Sequence, residues 1–200
     1  MAFGRVSGVG ALAMLFCSGC ASQADAAGYP LLDEDCREYA TLGADTVALP
    51  DHMTLNVFQD ESYVWLCASL PPESYGAADI VIDAPGLDAP RNLHISAQLG
   101  EWPAEGEGGG PETAESDQWW RVSGWSAIPF RFNGYQGEGD ERRAKFIPSE
   151  ARELQLSKAH FGRGVWNLRL EFNLVRLPNG DLGTVTFPEE TAVSFDVEVK

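Results

Sequence analysis

"VWNLRLEFNLV", residues 165–175, decides the fold. Its apolar residues fall on every second position: Trp166, Leu168, Leu170, Phe172 and Leu174 point one way, and Asn167, Arg169, Glu171 and Asn173 the other. A period of two over this length is the signature of a strand with one buried and one wet face, the ordinary state of a strand in an antiparallel sheet. "AVSFDVEVK" (192–200) repeats the alternation, with Val193, Phe195, Val197 and Val199 inward. So does "RNLHISAQL" (91–99), which sets Leu93, Ile95, Ala97 and Leu99 inward and His94, Ser96 and Gln98 outward.

"MTLNVF", "YVWLCASL" and "ADIVID" are shorter strand candidates, rich in β-branched and aromatic residues. Between these runs stand "PPESYG", "DAPGLDAP", "EWPAEGEGGGPETAESD", "NGYQGEGDERR" and "LPNGDLG", which take up much of the chain's 21 Gly and 12 Pro and read as loops. In "PSEARELQLSKAHF" the alternation of Leu154 and Leu156 favours a short strand over a helical turn. Many short strands, turn-rich connections and little helix predict an all-β chain, a single antiparallel sandwich of jelly-roll type over residues 30–200.

The N-terminus reads as an export signal: one basic residue, Arg5, then an apolar run from Val9 to Phe16 that is too short to span a bilayer, then small and polar residues. Two cleavage points fit. Ala24-Asp25-Ala26 suits removal of residues 1–26, whereas Cys17-Ser18-Gly19-Cys20 resembles a bacterial lipobox, with residues 1–19 removed, Cys20 acylated and a short tether following. The first gives a soluble periplasmic or secreted protein; the second gives a cell-envelope lipoprotein of the outer membrane, facing periplasm or exterior and touching the bilayer only through its lipid anchor.

With Cys17 and Cys20 in that segment, Cys36 and Cys67 are the pair left for the folded part. In an oxidising compartment they form a disulfide worth about 3–4 kcal/mol by loop closure; the alternative is two buried thiols. Their spacing fits neither a zinc site nor a CxxC pair.

The chain has 14 basic and 30 acidic residues, a formal charge of -16 that repels nucleic acid. His52, His94 and His160 lie far apart, no GxSxG elbow occurs, and the acidic "EGEGGGP" is no phosphate cradle. Nothing in the sequence names a catalytic set. "DEDC" and "NGDLG" are oxygen-rich turns that suit structural calcium or plain solvation.

"SDQWWRVSGW" (116–125) carries three of the six tryptophans. As a strand it sends Trp120 into the core and leaves Trp119 with Arg121 on the wet face, with Trp125 at the strand end or in the next loop. Trp102 stands at the mouth of the Gly-rich loop. Pyranose rings present apolar C–H faces to flat aromatic rings and hydroxyls to planar polar groups. Trp119, Arg121, Trp102, His94, Gln98, Asn167, Arg169 and Glu171 are such a set if their strands adjoin in one sheet. A tryptophan covered by a loop above an ordinary solvated sheet face is the plainer alternative.

The succession "LNVFQDESYVWLCASL", "ADIVID", "NLHISAQLGEW" and "ELQLSKAHFGRGVWNLRLEFNLVR" resembles the order of elements in family 9 carbohydrate-binding modules and related DOMON-type sandwiches, over Asp45 to Lys200. The resemblance implies a non-catalytic glycan binder that grips sugar between two aromatic rings, sometimes with calcium. Two other roles remain: an envelope protein whose partner is another protein, and a haem binder using Met53 with His94 or His160, as in some DOMON relatives.

Overall fold

The computed structural model describes residues 28–106, 109–190 and 193–200. Cys17, Cys20 and both expected cleavage points lie outside these residues. Thirteen strands run in chain order: β1 (Asp45–Ala48), β2 (Thr54–Gln59), β3 (Tyr63–Ser69), β4 (Ala77–Asp83), β5 (Arg91–Ile95), β6 (Leu99–Pro103), β7 (Trp125–Ala127), β8 (Phe132–Gln136), β9 (Arg143–Phe146), β10 (Ala151–Ser157), β11 (Gly164–Arg176), β12 (Leu182–Phe187) and β13 (Phe195–Val199). Among the described residues there are also two short α-helices, α1 (Arg37–Leu42) and α2 (Lys158–Phe161), and two 3-10 turns, Pro50–His52 and Gly139–Glu141. Among the described residues no helix is long and apolar enough to cross a membrane.

The strands form an antiparallel sandwich, as the alternation predicts. One sheet has the order β1-β2-β3-β10-β7; the other has β12-β11-β4-β5-β6, with β13 also paired to β11. Between them the inward rows of each strand make one core: Val64, Leu66 and Leu156 from the first sheet meet Ile80, Ile82, Leu93, Trp166, Leu168 and Phe172 from the second. Removing these side chains from water at about 25 cal/mol per Å² of apolar surface is the main force holding the sheets face to face.

The first sheet is covered on its outside too. Trp65 and Cys67 face away from the main core yet are buried, because residues 29–44 fold over them in a second cluster with Tyr39 and Ala151. Cys36 and Cys67 form the expected disulfide, Tyr29 stacks on Trp65 at 6.4 Å between ring centroids, and Tyr39 donates from its hydroxyl to Glu153. Polar anchoring matches the apolar. Glu34, buried beneath Arg152, holds that guanidinium at 2.5 Å and the Arg131 Nε at 2.6 Å. We call this the covered sheet, and its partner the open sheet.

Several local expectations fail for identifiable reasons. "RNLHISAQL" is not one strand: the chain turns at 96–98, Ser96 N–H donates to Gln98 O at 2.9 Å, and Ala97 is exposed. Leu174, expected inward, is 43% exposed with φ 58°, because β11 carries a bulge that shifts its register between Phe172 and Val175. Val193 lies outside β13 and is exposed. "NGYQGEGDERR", expected as loop throughout, places Asn133–Gln136 in β8 and Arg143 in β9, with 137–142 as the turn of a two-stranded ribbon.

Candidate functional site

The outer face of the open sheet is built by the residues that alternation leaves outward. Register fixes their neighbours. Trp102 on β6 stands opposite Asn92 on β5, Asn92 opposite Val81 on β4, and Val81 opposite Arg169 on β11. One step along, Gly100, His94, Asp79, Glu171 and Thr186 make a parallel row across five strands. Asp83 and Asn167 begin a third, continued by Asp196 on β13. The strands carrying His94, Asn167, Arg169, Glu171 and Trp102 thus adjoin in one sheet and share one face.

"SDQWWRVSGW" is not a strand before Trp125, and this corrects the sorting of its tryptophans. Tight turns at Ser116–Trp119 and Gln118–Arg121, a left-handed Trp120 (φ 66°) and a left-handed Gly124 (φ 73°) coil the segment back over the sheet. Only glycine fits at 124, since a Cβ there would stand 2.3 Å from the His160 ring. Trp120, expected in the core, is 54% exposed, and its N–H donates to Leu99 O at 2.7 Å. Trp125, expected at a strand end or in the next loop, is the core residue on β7, 6% exposed. Arg121 does not share a strand face with Trp119; it is exposed and paired with Asp117 at 2.5 Å.

Trp119 nevertheless arrives beside Trp102. Their rings meet edge to face at 6.1 Å, and His94 touches both, at 5.4 Å from Trp102 and 5.5 Å from Trp119. Trp119 is held by its indole N–H, which donates to Thr113 O at 2.9 Å, and Gln98 ties down the same loop through Ala114 O at 3.0 Å. Gln98 therefore supports the loop from the β5–β6 turn rather than standing in the rows. Glycine at 100 makes the close approach feasible: a Cβ there would lie 2.6 Å from the Trp102 ring and 3.0 Å from that of Trp119.

Asp79 organises the polar part. Its Oδ1 receives Asn92 Nδ2 at 2.7 Å and His94 Nδ1 at 2.8 Å. Burial pushes this carboxyl up, but the hydrogen bonds from His94 and Asn92 and the charge of His94 outweigh it and hold it below the usual aspartate range. Opposite an ionised Asp79 the imidazole carries its proton on Nδ1, which fixes the ring's orientation against the two indoles. Asp79, Val81 and Asn92 were not singled out in the sequence, although the alternation of "ADIVID" already places the first two outward. Glu101 was also missed: its Oε2 receives Ser123 N–H at 2.9 Å and the Trp125 indole at 3.0 Å, pinning the end of the coiled segment.

Two hollows flank the rows. One, about 390 Å³, lies over β4 and β11, lined by Val81, Asp83, Glu105, Asn167, Arg169 and Ser194 among others. The other, about 580 Å³, is lined by Gly109, Gly110, Thr113 and Ser116–Gln118 beside Trp119. A third cleft of about 580 Å³, between Asp51–His52, Leu70–Pro72 and Arg176–Pro178, contains none of the expected residues.

The remaining candidate ligands sit elsewhere. Met53 is 1% exposed in the main core, on the far side of the open sheet's backbone from His94. His160 packs on Phe161 at 4.8 Å. In "DEDC", Asp33 joins Glu38 and Glu153 in a carboxylate group within 4.8 Å, but the Glu153 oxygens already receive Asp33 N–H, Glu34 N–H and the Tyr39 hydroxyl. In "NGDLG", Asn179 and Asp181 bond each other and close the β11–β12 turn.

No family model matches the sequence, and no curated protein matches it. Among solved structures, a family 9 carbohydrate-binding module from Caldicellulosiruptor kristjanssonii in complex with cellotriose aligns with a TM-score of 0.48 at 9% identity, covering 86% of this chain and 90% of that one. The same module in complex with glucose gives 0.47 at 9% identity over 86% and 92%.

Proposed function

We propose that the chain is an exported, non-catalytic protein that binds neutral glycans across the outer face of the open sheet. The observation that carries this reading is the register row from Trp102 through Asn92 and Val81 to Arg169, beside the row of His94, Asp79 and Glu171. With strands about 4.8 Å apart, an aromatic end and a cationic end stand roughly 14 Å from each other, a span suited to a short oligosaccharide. Trp102 and Trp119 supply ring surface for C–H faces, and Asn167, Arg169 and Glu171 supply donors and acceptors for hydroxyls. Asp79, Asp83, Glu171 and Asp196 make this face acidic, which disfavours charged sugars such as uronates.

The test is retention on neutral polysaccharide gels, or binding on a glycan array, for the wild type, Trp102→Ala and Arg169→Ala. Each substitution should weaken retention about tenfold or more, equivalent to about 1.4 kcal/mol. Retention unchanged in both variants refutes the site. Export and acylation of Cys20 belong to the same proposal: the mature N-terminus should carry a lipidated Cys20 by mass spectrometry, and a free Ala27 amine refutes acylation.

A further inference from the structure

The ribbon β8–β9 stands apart from both sheets. Its two strands pair only with each other among the described residues, and every residue from Arg131 to Lys145 is exposed. One face is aromatic: Phe132 and Tyr135, 54% and 58% exposed, meet at 5.1 Å, Phe146 lies 6.3 Å from Phe132, and the Arg142 guanidinium covers the Tyr135 ring at 3.9 Å. The root is firm, because Phe130 N–H donates to Ser96 O and Arg131 is paired with Glu34. A two-stranded ribbon in water is marginal by itself, and two free edges invite further pairing.

Its charges say with what. The turn and second strand read "EGDERRAK" from Glu138 to Lys145, an acidic block followed directly by a basic one. Gly139–Glu141 form a 3-10 turn, so the acids stand at the tip of the ribbon and Arg142, Arg143 and Lys145 follow at the start of β9 and along it. When two ribbons lie antiparallel, tip past tip, the acidic tip of each falls beside the basic strand of the other. Charges on a lone edge strand ordinarily repel neighbours; this order attracts its own copy and no parallel arrangement of it. A two-fold axis demands such a self-complementary patch. The bodies, each of formal charge -16, repel one another. At physiological salt, however, that repulsion is screened beyond about 8 Å, while contact pairs at the ribbon are not.

We infer that β9 is the interface of a two-fold homodimer, in which the acidic turn of each ribbon lies against the basic strand of the other and the two aromatic faces join. This does not depend on the glycan reading. Sedimentation velocity on the purified chain at physiological ionic strength, across a concentration series, tests it. The wild type should dimerise reversibly. Arg142→Glu with Arg143→Glu, or Asp140→Arg with Glu141→Arg, should each lower the association constant about tenfold or more, and an equimolar mixture of the two variants should dimerise again. Circular dichroism checks that both variants are folded; should either unfold, Glu138→Lys and Lys145→Glu make the same exchange. A wild type that stays monomeric overturns the proposal and leaves the ribbon to another partner. A dimer that survives both reversals overturns it as well.

Discussion

Glu153 Oε2 lies 2.6 Å from the backbone nitrogen of Glu34, 119 positions earlier, and accepts its N–H. The same carboxylate receives Asp33 N–H at 2.8 Å and the Tyr39 hydroxyl at 3.2 Å, so one side chain of β10 fastens the segment that covers the first sheet. Burial dominates its acidity and, with the nearby charge of Asp33, raises the pKa from 4.5 to about 7 against the lowering effect of these donors. The folded state therefore holds a proton that the unfolded state releases from about pH 4.5 upward. Stability from this group is fully present below about pH 4.5 and declines as pH rises to about 7. Chemical denaturation of wild type and Glu153→Gln across that range should show their stability difference shifting in favour of the variant with rising pH. A difference independent of pH contradicts the assignment.

The disulfide closes a separation of 31 residues between the covering segment and β3. Cys36→Ser with Cys67→Ser should lower stability by about 3–4 kcal/mol and expose residues 29–44 to limited proteolysis before the sheets unfold. Equal cleavage rates with and without the disulfide count against its role as a fastener.

Arg152 is 1% exposed and donates to Glu34, Gly76 O and Tyr75 O. Its guanidinium also lies 4.9 Å from the Phe130 ring. Arg152→Ala leaves buried Glu34 with only the half-exposed Arg131 as ion partner, takes the Arg152 donor from Gly76 O and Tyr75 O, and should cost about 3–5 kcal/mol in denaturation experiments. Glu34→Leu combined with Arg152→Met should recover part of that loss, since no buried charge is then left alone.

Gly100→Ala places a methyl group against both indoles of the candidate site. Thermal denaturation should show a loss of about 1–3 kcal/mol, tryptophan fluorescence should shift, and neutral-glycan retention should fall together with it. Retention unaffected by displaced rings speaks against their contact with sugar.

The architecture was legible wherever one side of a strand is wet, as at Asn167, Arg169 and Glu171 on β11 and at Asp79 and Asp83 on β4. Other features were not, or only in part. Trp119 and Trp120 look like an alternating pair, but a left-handed Trp120 and the His160 ring beneath Gly124 turn the segment into a lid, and φ at a non-glycine residue leaves no mark in composition. Trp65 and Cys67 look outward by period yet are buried, and here the sequence does offer the reason: a Cys36–Cys67 disulfide and the N-terminal segment cover that side. The ribbon was hidden by its glycines: "NGYQGEGDERR" has the residues of a loop, and a bulge at Asn133–Gly134 brings Phe132 and Tyr135 to one face despite their odd spacing. The adjoining rows of the candidate site needed the strand order, since β4, β5, β6 and β11 are neighbours in space and not all in sequence.

Tyr29 rests on Trp65, at the back of the covered sheet, while Trp102 and Arg169 look out from the front of the open one. In the proposed lipidated form, the described residues nearest the anchor and the proposed glycan face thus belong to opposite outer faces of the sandwich.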